Sequence, residues 1–257
     1  EGFVSKLSPG ESLVRALRDR CRGELRENES LARHTTFGVG GPADLFFLPA
    51  DVEDLAVAVP LIRDARLPVL PLGGGTNMLV RDAGFRGLVV CLTGGATHIE
   101  MLPEEGVAQA GAGLQVFSRR CQRAGRTGME FGCGIPGTVG GAIWGNAGAW
   151  GGETMDNLIW LRGVDLKSGE EVERKKAEIV YRYRHTDLPD GLLVIEAGFR
   201  LEEGDPKDIL EQMDRMLLER KASQPLSNRS SGCMFKNPPG TSAGLLIDEA
   251  GGKGLSV

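Results

Sequence analysis

Gly132–Gly152, GCGIPGTVGGAIWGNAGAWGG, carries nine glycines in twenty-one residues, and its Gly-Ile-Pro-Gly-Thr-Val-Gly-Gly-Ala core reads as main chain wrapped around a ligand. Glycine lets backbone approach a bound molecule closely and adopt positive φ, a freedom that is entropically expensive when repeated. A purely structural segment rarely needs so much of it. Working back toward the N-terminus, a second cluster, Gly73-Gly74-Gly75-Thr76-Asn77, follows the apolar run Leu67–Leu72. Read alone, it is either a nest of backbone N–H groups for an anion or a tight turn between strands. It is not the dinucleotide fingerprint, because no G-x-G-x-x-G opens a helix here and no acidic residue stands at the required distance. Two separate glycine loops, both bearing Thr and Asn, suit one long ligand held along its length. Flavin adenine dinucleotide (FAD) has that shape, with a diphosphate at its middle.

The wider composition agrees with an enzyme-sized globular protein. The chain has 257 residues, 41% hydrophobic and 25% charged, with 38 glycines and none of the strict spacing of collagen. Its net charge of -5, without a dense basic run, argues against nucleic acid as a partner. Five widely spread cysteines, none in C-x-x-C spacing, argue against a disulfide framework or a metal site and suit a reducing, cytoplasmic setting. No apolar run reaches the roughly 18–20 residues that span a bilayer, so no membrane association is expected.

Local signals place the elements. Ser8-Pro9-Gly10-Glu11 is a capping box opening a helix with Leu13, Val14, Leu17 and Cys21 on one face. Ala43–Leu48 reads as a strand. Asp51–Arg66 has helical composition, with Val52, Leu55, Ala56 and Val59 on one side and Pro60 expected to kink or split it. Leu88–Leu92 and Val107–Ala110 are further strands, and Leu114–Arg123 is a helix closed by Gly125. From Asn157 to Leu201 the pattern changes to a mixed, largely antiparallel one, with a hairpin loop at Asp165–Gly169. Asp205 caps a helix striped by Ile209, Leu210, Met213, Met216 and Leu217, whose methionines are core residues on this reading. A short strand is expected at Cys233-Met234-Phe235 and a last helix at Ala243–Ala250. Trp144 and Trp150 are expected to pack rather than stack on a ligand.

Six motifs then occur in order: Arg33–Gly41 (RHTTFGVGG), Pro71–Asn77 (PLGGGTN), Gly134–Ala142 (GIPGTVGGA), Asn146-Ala147-Gly148, Tyr183-Arg184-His185-Thr186, and Gly232–Pro238 (GCMFKNP). Together, from about residue 30 to residue 254, they resemble the UDP-N-acetylenolpyruvoylglucosamine reductases, flavoenzymes of bacterial cell-wall precursor synthesis. The resemblance implies an α+β architecture: a two-subdomain FAD-binding fold of the vanillyl-alcohol-oxidase type, residues 1–80 and 81–203, plus a small α+β substrate-binding domain, residues 204–257. It implies FAD held by Gly73, Gly74, Gly75, Thr76, Asn77, Met78, Gly134, Ile135, Pro136, Gly137, Thr138, Gly140, Gly141, Asn146 and Gly148. NADPH would reduce the flavin, and the acceptor would be the enolpyruvyl ether of a UDP-linked sugar.

In that reaction Arg184 matches the arginine that balances charge on the substrate carboxylate, and Tyr183 is a substrate contact. Without the resemblance, the Tyr181–Arg184 run reads as a solvated strand face. Cys233 stands where many relatives carry a proton-donating serine. A thiol, with a reference pKa of about 8.5, is the stronger acid, so the role is kept. Lys221, Lys236 and Asn237 are expected at the nucleotide diphosphate, while Cys21, Cys91, Cys121 and Cys133 read as buried small hydrophobes. The family's terminal catalytic glutamate would lie beyond Val257, and Glu249 does not replace it, so either the chain is C-terminally incomplete or one catalytic group comes from elsewhere. A monomer without a metal completes the reading. Two alternatives stay open at this point: a flavin oxidase of the same fold acting on another substrate, and a non-catalytic nucleotide-sugar binding protein.

Overall fold

A computed structural model of the chain describes residues 8–224 and 234–255. Ser8 Oγ accepts from the Glu11 N–H while the Glu11 carboxylate accepts from the Ser8 N–H, so helix α1 (Pro9–Arg20) starts on a complete capping box. Leu13 and Leu17, one turn apart, bury its apolar side.

Strand β1 (Glu24–Ser30) runs antiparallel to β2 (Pro42–Leu48), which leads through helix α2 (Val52–Ala65) to β3 (Val69–Leu72). Strand β4 (Phe85–Cys91) then enters between β2 and β3, parallel to both, and gives the order β1-β2-β4-β3. This sheet runs past the boundary expected near residue 80. The reason is burial on both faces: Leu88, Val89 and Val90, three successive residues whose side chains alternate between faces, are each 0% exposed, as in a strand inside a covered sheet.

Pro60 lies inside α2 without splitting it. The carbonyl it leaves unpaired belongs to Ala56, on the exposed side, where water can serve it. Leu55, Ala58, Val59 and Ile62 form the buried stripe, so Ala56 and Val52 do not belong to it as expected. Asp54 is also buried, and its carboxylate accepts from the N–H groups of Arg22 (2.7 Å), Gly23 (2.8 Å) and Ala50 (3.0 Å). That one side chain ties the entry of β1 to the start of α2.

The second sheet is antiparallel throughout, more uniformly than the largely antiparallel reading of residues 157–201, and it also takes in two earlier strands. It takes β5 (Ile99–Met101), β6 (Glu105–Gln109), β10 (Leu158–Asp165), β11 (Glu171–Lys175) and β14 (Leu192–Arg200) in the order β11-β10-β14-β6-β5. Helix α3 (Leu114–Arg123) packs on it, with the rings of Phe117 and Phe199 5.1 Å apart. Short pairs complete the layer: β7 (Arg126–Thr127) with β15 (Glu202–Glu203), β8 (Gly148–Ala149) with β9 (Gly152–Glu153), and β12 (Tyr181–Arg182) with β13 (His185–Thr186). Between them lie α4 (Val139–Trp144) and α5 (Thr154–Asn157).

Asp205 caps α6 (Pro206–Ser223), whose Ile209 and Met213 are buried against Cys133, with Trp150, Met216 and Leu217 around them. The methionine stripe is therefore core. Although α6 lies beyond the boundary expected at Gly204, Gln122 Nε2 donates to Pro206 O at 2.8 Å and fastens it to α3. Helix α7 (Ala243–Glu249) has no buried residue. Met234 and Phe235 form no strand and are each 65% exposed, while Cys233 lies outside the described residues.

Candidate active site

The two glycine loops lie against each other. A β-carbon added at Gly73 would collide with Thr138 Oγ1, one at Gly74 would stand 3.3 Å from Gly137 Cα, and one at Gly137 would stand 2.8 Å from Thr76 Oγ1. Gly137 also has φ +115°, a conformation that side chains rarely adopt. Thr76 Oγ1 donates across the junction to Pro136 O at 3.3 Å. Gly74 here meets the Gly137 main chain, while Gly73 and Gly137 meet threonine side chains at distances that leave no room for a β-carbon. The Arg33–Gly41 loop backs the same junction: the Thr36 N–H donates to Gly75 O at 3.1 Å, and Gly75 presses on the His34 carbonyl.

Among the described residues, the N–H groups of Gly74, Gly75, Thr76 and Asn77 find no acceptor. Consecutive free amides of this kind form a partial positive concavity suited to an anion. Beside them, Thr138 Oγ1 accepts from the Gly141 N–H at 3.3 Å and caps α4. The other expected cofactor residues divide by where they face. Met78 packs its side chain on the apolar floor of Leu31, Phe46 and Val89. Gly134 meets the Trp150 ring, and Gly140 meets Ala110, so both are close approaches to protein. Ile135 packs on the main core, and Pro136 and Gly141 are exposed at the rim. Trp144 and Trp150 are packing residues as expected, and Trp150 Nε1 donates to Glu219 at 3.2 Å.

Beneath the Arg33–Gly41 loop, His34 Nε2 lies 2.8 Å from the buried Glu29 carboxylate, and Arg26 approaches the same oxygen at 3.1 Å. The His34 hydrogen bond, supported by Arg26 against the opposing effect of burial, holds Glu29 below the usual carboxylate range. The His34 ring stacks on Phe46 with centroids 4.2 Å apart. Sequence reading did not single out this pair. A histidine five residues after a glutamate, across a strand end, carried the only signal.

Arg184 is brought to the second glycine stretch. It occupies the turn between β12 and β13 in a left-handed conformation (φ +56°), with Nη2 donating to Gly148 O at 2.6 Å and Nη1 to Asn146 O at 3.4 Å. Its guanidinium lies 5.0 Å from the Tyr183 ring, and Tyr183 is exposed. Asn146, expected at the cofactor, is 0% exposed, and its carboxamide bonds only to protein. Lys221 is exposed one residue past Arg220, whose Cδ lies 3.3 Å from a β-carbon built on Gly134. Lys236 is exposed, and Asn237 Oδ1 accepts from the Ala243 N–H at 3.0 Å ahead of α7. No hydrogen bond among the described residues ties either to the glycine loops.

The family described as an FAD binding domain matches residues 43–174, and that described as the C-terminal domain of UDP-N-acetylenolpyruvoylglucosamine reductase matches residues 224–257. The UDP-N-acetylenolpyruvoylglucosamine reductase of Caulobacter sp. (strain K31) is 43% identical over 236 residues, covering 91% of this chain and 76% of its own. The chain belongs to the UDP-N-acetylenolpyruvoylglucosamine reductase family. A second reductase of the family, from Geobacter metallireducens, is 40% identical over 247 residues, covering 96% of this chain and 82% of its own. The crystal structure of the family's Thermus caldophilus member matches with a TM-score of 0.78 at 37% identity, covering 92% of this chain and 82% of that one. Berberine bridge enzyme from Eschscholzia californica shares the fold at a TM-score of 0.55 and 14% identity, over 76% of this chain and 44% of its own. The architecture is thus the α+β FAD-binding fold expected of a reductase of this family. The residues present fit the cofactor: free amides for a diphosphate, and a glycine junction that β-carbons would fill. No described helix is long and apolar enough to cross a membrane.

Proposed function

We propose that this chain binds FAD and NADPH and reduces the enolpyruvyl ether of UDP-N-acetylglucosamine-enolpyruvate to UDP-N-acetylmuramate. The observation that carries the reading is convergence: two bare main-chain loops touch, and an arginine from residue 184 is anchored on the continuation of the second. FAD held by these loops would supply two-electron hydride chemistry between NADPH and the enolpyruvyl carbon remote from the carboxylate.

The chain's own residues do the rest. The amides of residues 74–77, with Thr76, hold the diphosphate, and the Gly73–Thr138 contact keeps both loops at the right separation. Arg184 uses two of its five N–H groups on Asn146 O and Gly148 O, so the others remain for a carboxylate. As hydride arrives, negative charge builds on that carboxylate, and a guanidinium already fixed in place stabilises it without reorganising. Cys233 supplies the proton to the adjacent carbon, a role supported by its place in the Gly-Cys-Met-Phe motif. Tyr183, Lys221, Lys236 and Asn237 contact the nucleotide sugar on this reading. A three-part division is kept, with the first boundary moved beyond Cys91. A cytoplasmic monomer without a resident metal is part of the same proposal.

Purified protein is expected to be yellow and to oxidise NADPH only when the enolpyruvyl substrate is added. A colourless protein that takes up no FAD refutes the reading. Rapid reoxidation by oxygen with indifference to UDP-sugars assigns an oxidase instead.

A further inference from the structure

Arg184 sits where no regular structure fixes a side chain, at a two-residue turn with positive φ. What fixes it is the segment Trp144–Gly148, whose carbonyls face the β12–β13 hairpin in succession. Trp144 O accepts from Thr186 Oγ1 at 2.8 Å, Asn146 O from Arg184 Nη1 at 3.4 Å, and Gly148 O from Arg184 Nη2 at 2.6 Å. Such a row requires a bend in the chain. Asn146 supplies it with φ +41°, a conformation that asparagine tolerates better than other non-glycine residues.

The Asn146 side chain locks that bend. Nδ2 donates to Glu153 Oε2 at 2.7 Å and to Arg182 O at 3.3 Å, and Oδ1 accepts from the Met155 N–H at 3.1 Å. The partners settle the amide orientation, since a carboxylate and a carbonyl only accept and a backbone N–H only donates. The Glu153 backbone is itself held at the start of α5, where its N–H donates to Asp156 Oδ2 at 2.8 Å. One buried carboxamide thereby joins three pieces: the β9–α5 turn, the Arg182 end of the hairpin, and the carbonyl that receives Arg184.

We infer that Asn146 and Glu153 are positioning residues that set the Arg184 guanidinium for the substrate carboxylate, and that Asn146 acts on substrate turnover rather than on cofactor retention. The inference rests on the reading of Arg184 as the carboxylate-binding group. Removing the Asn146 carboxamide frees the hairpin and the carbonyl row together. A displacement of about 1 Å in such a group is enough for losses on the order of 10²-fold.

The test uses the FAD-loaded enzyme. Asn146→Ala is expected to keep its flavin and its rate of flavin reduction by NADPH, while kcat/KM for the enolpyruvyl substrate falls about 10²-fold. Glu153→Ala is expected to shift kcat/KM in the same direction, and Glu153→Gln, which retains an acceptor oxygen for Nδ2, to restore most of the loss. The deciding measurement is non-additivity: in an Arg184→Ala background, Asn146→Ala should reduce kcat/KM no further. Loss of flavin from Asn146→Ala, or effects that multiply in the double variant, would overturn the inference. If Asn146→Ala does not fold, the Glu153→Ala and Arg184→Ala pair supplies the same cycle. Should Arg184→Ala alone leave kcat/KM unchanged, the reading of Arg184 falls, and the inference with it.

Discussion

Gly73→Ala tests whether the two glycine loops must touch for the cofactor to bind. The new methyl would collide with Thr138 Oγ1, the hydroxyl that caps α4 by accepting from the Gly141 N–H. Forcing an extra carbon into a closed contact costs about 1–3 kcal/mol. Unliganded loops can relieve that by separating, but a ligand that requires them together brings the strain back on binding. The dissociation constant for FAD should therefore rise about 5- to 150-fold. Thr138→Ala removes the obstructing hydroxyl and should cost only the cap, about 1 kcal/mol. In the combined variant the clash is gone, so FAD should bind more tightly than to Gly73→Ala alone. Titration of flavin fluorescence against each apoprotein reads all four constants. If Gly73→Ala binds FAD within twofold of the parent, or if Thr138→Ala makes Gly73→Ala worse, the clasp does not exist in the form described.

Three further expectations follow from named groups. Cys233→Ala should leave flavin reduction by NADPH nearly intact while slowing product formation by about 10²–10⁴-fold, the reach of a positioned acid, and Cys233→Ser should retain more; normal turnover by the alanine variant removes Cys233 from the mechanism. Because Glu29 is held below the usual carboxylate range when folded, its stabilisation is present above the unfolded value of about 4.3 and is lost as pH falls through the lower folded value. Urea titrations from pH 7 to pH 3 should show a steep acid loss that Glu29→Gln flattens, and an unchanged slope refutes the assignment. Burial pushes the Cys121 thiol up to about 12 and the Cys133 thiol upward as well, so iodoacetamide at pH 8 should leave both unmodified until the protein is unfolded, as read by mass spectrometry.

Much of the fold was legible because its signals are local. The capping box at Ser8 and the cap at Asp205 each begin a helix where the side chains say they should. Pro60 misled because its penalty depends on which side of the helix the orphaned carbonyl faces, and that side is known only once α2 is docked. The boundary near residue 80 misled for a related reason. Leu88–Leu92 was readable as a strand, but its insertion between two earlier strands is a long-range choice, driven by burial of both its faces. Glycine content carried a subtler ambiguity. Gly73, Gly74 and Gly137 are bare where the loops meet, whereas Gly134 and Gly140 are bare because Trp150 and Ala110 crowd them. Close approach to a ligand and close approach to the chain select the same residue, so composition alone does not separate them.

The Tyr-Arg-Tyr-Arg run shows where local reading ends. Simple alternation along a strand would put Arg182 and Arg184 on the same face and make both solvated, and Tyr181, Arg182 and Tyr183 are indeed exposed. Arg184 departs from the pattern because its positive φ breaks the alternation and turns the guanidinium toward carbonyls 36 and 38 residues earlier in the chain. Those carbonyls face it because Asn146 is bent, and Asn146 is bent because its carboxamide is satisfied by Glu153, Met155 and Arg182. The contacts of Asn146 with Glu153 and Met155 are local, but those that tie it to Arg182 and Arg184 join segments 36 to 38 residues apart, which no window of sequence contains together. The resemblance to the reductase family could point to Arg184 as a site residue, but it assigned Asn146 to the cofactor. The buried carboxamide has each of its polar atoms bonded to protein, and on the proposed reading it aims Arg184 rather than touching the cofactor.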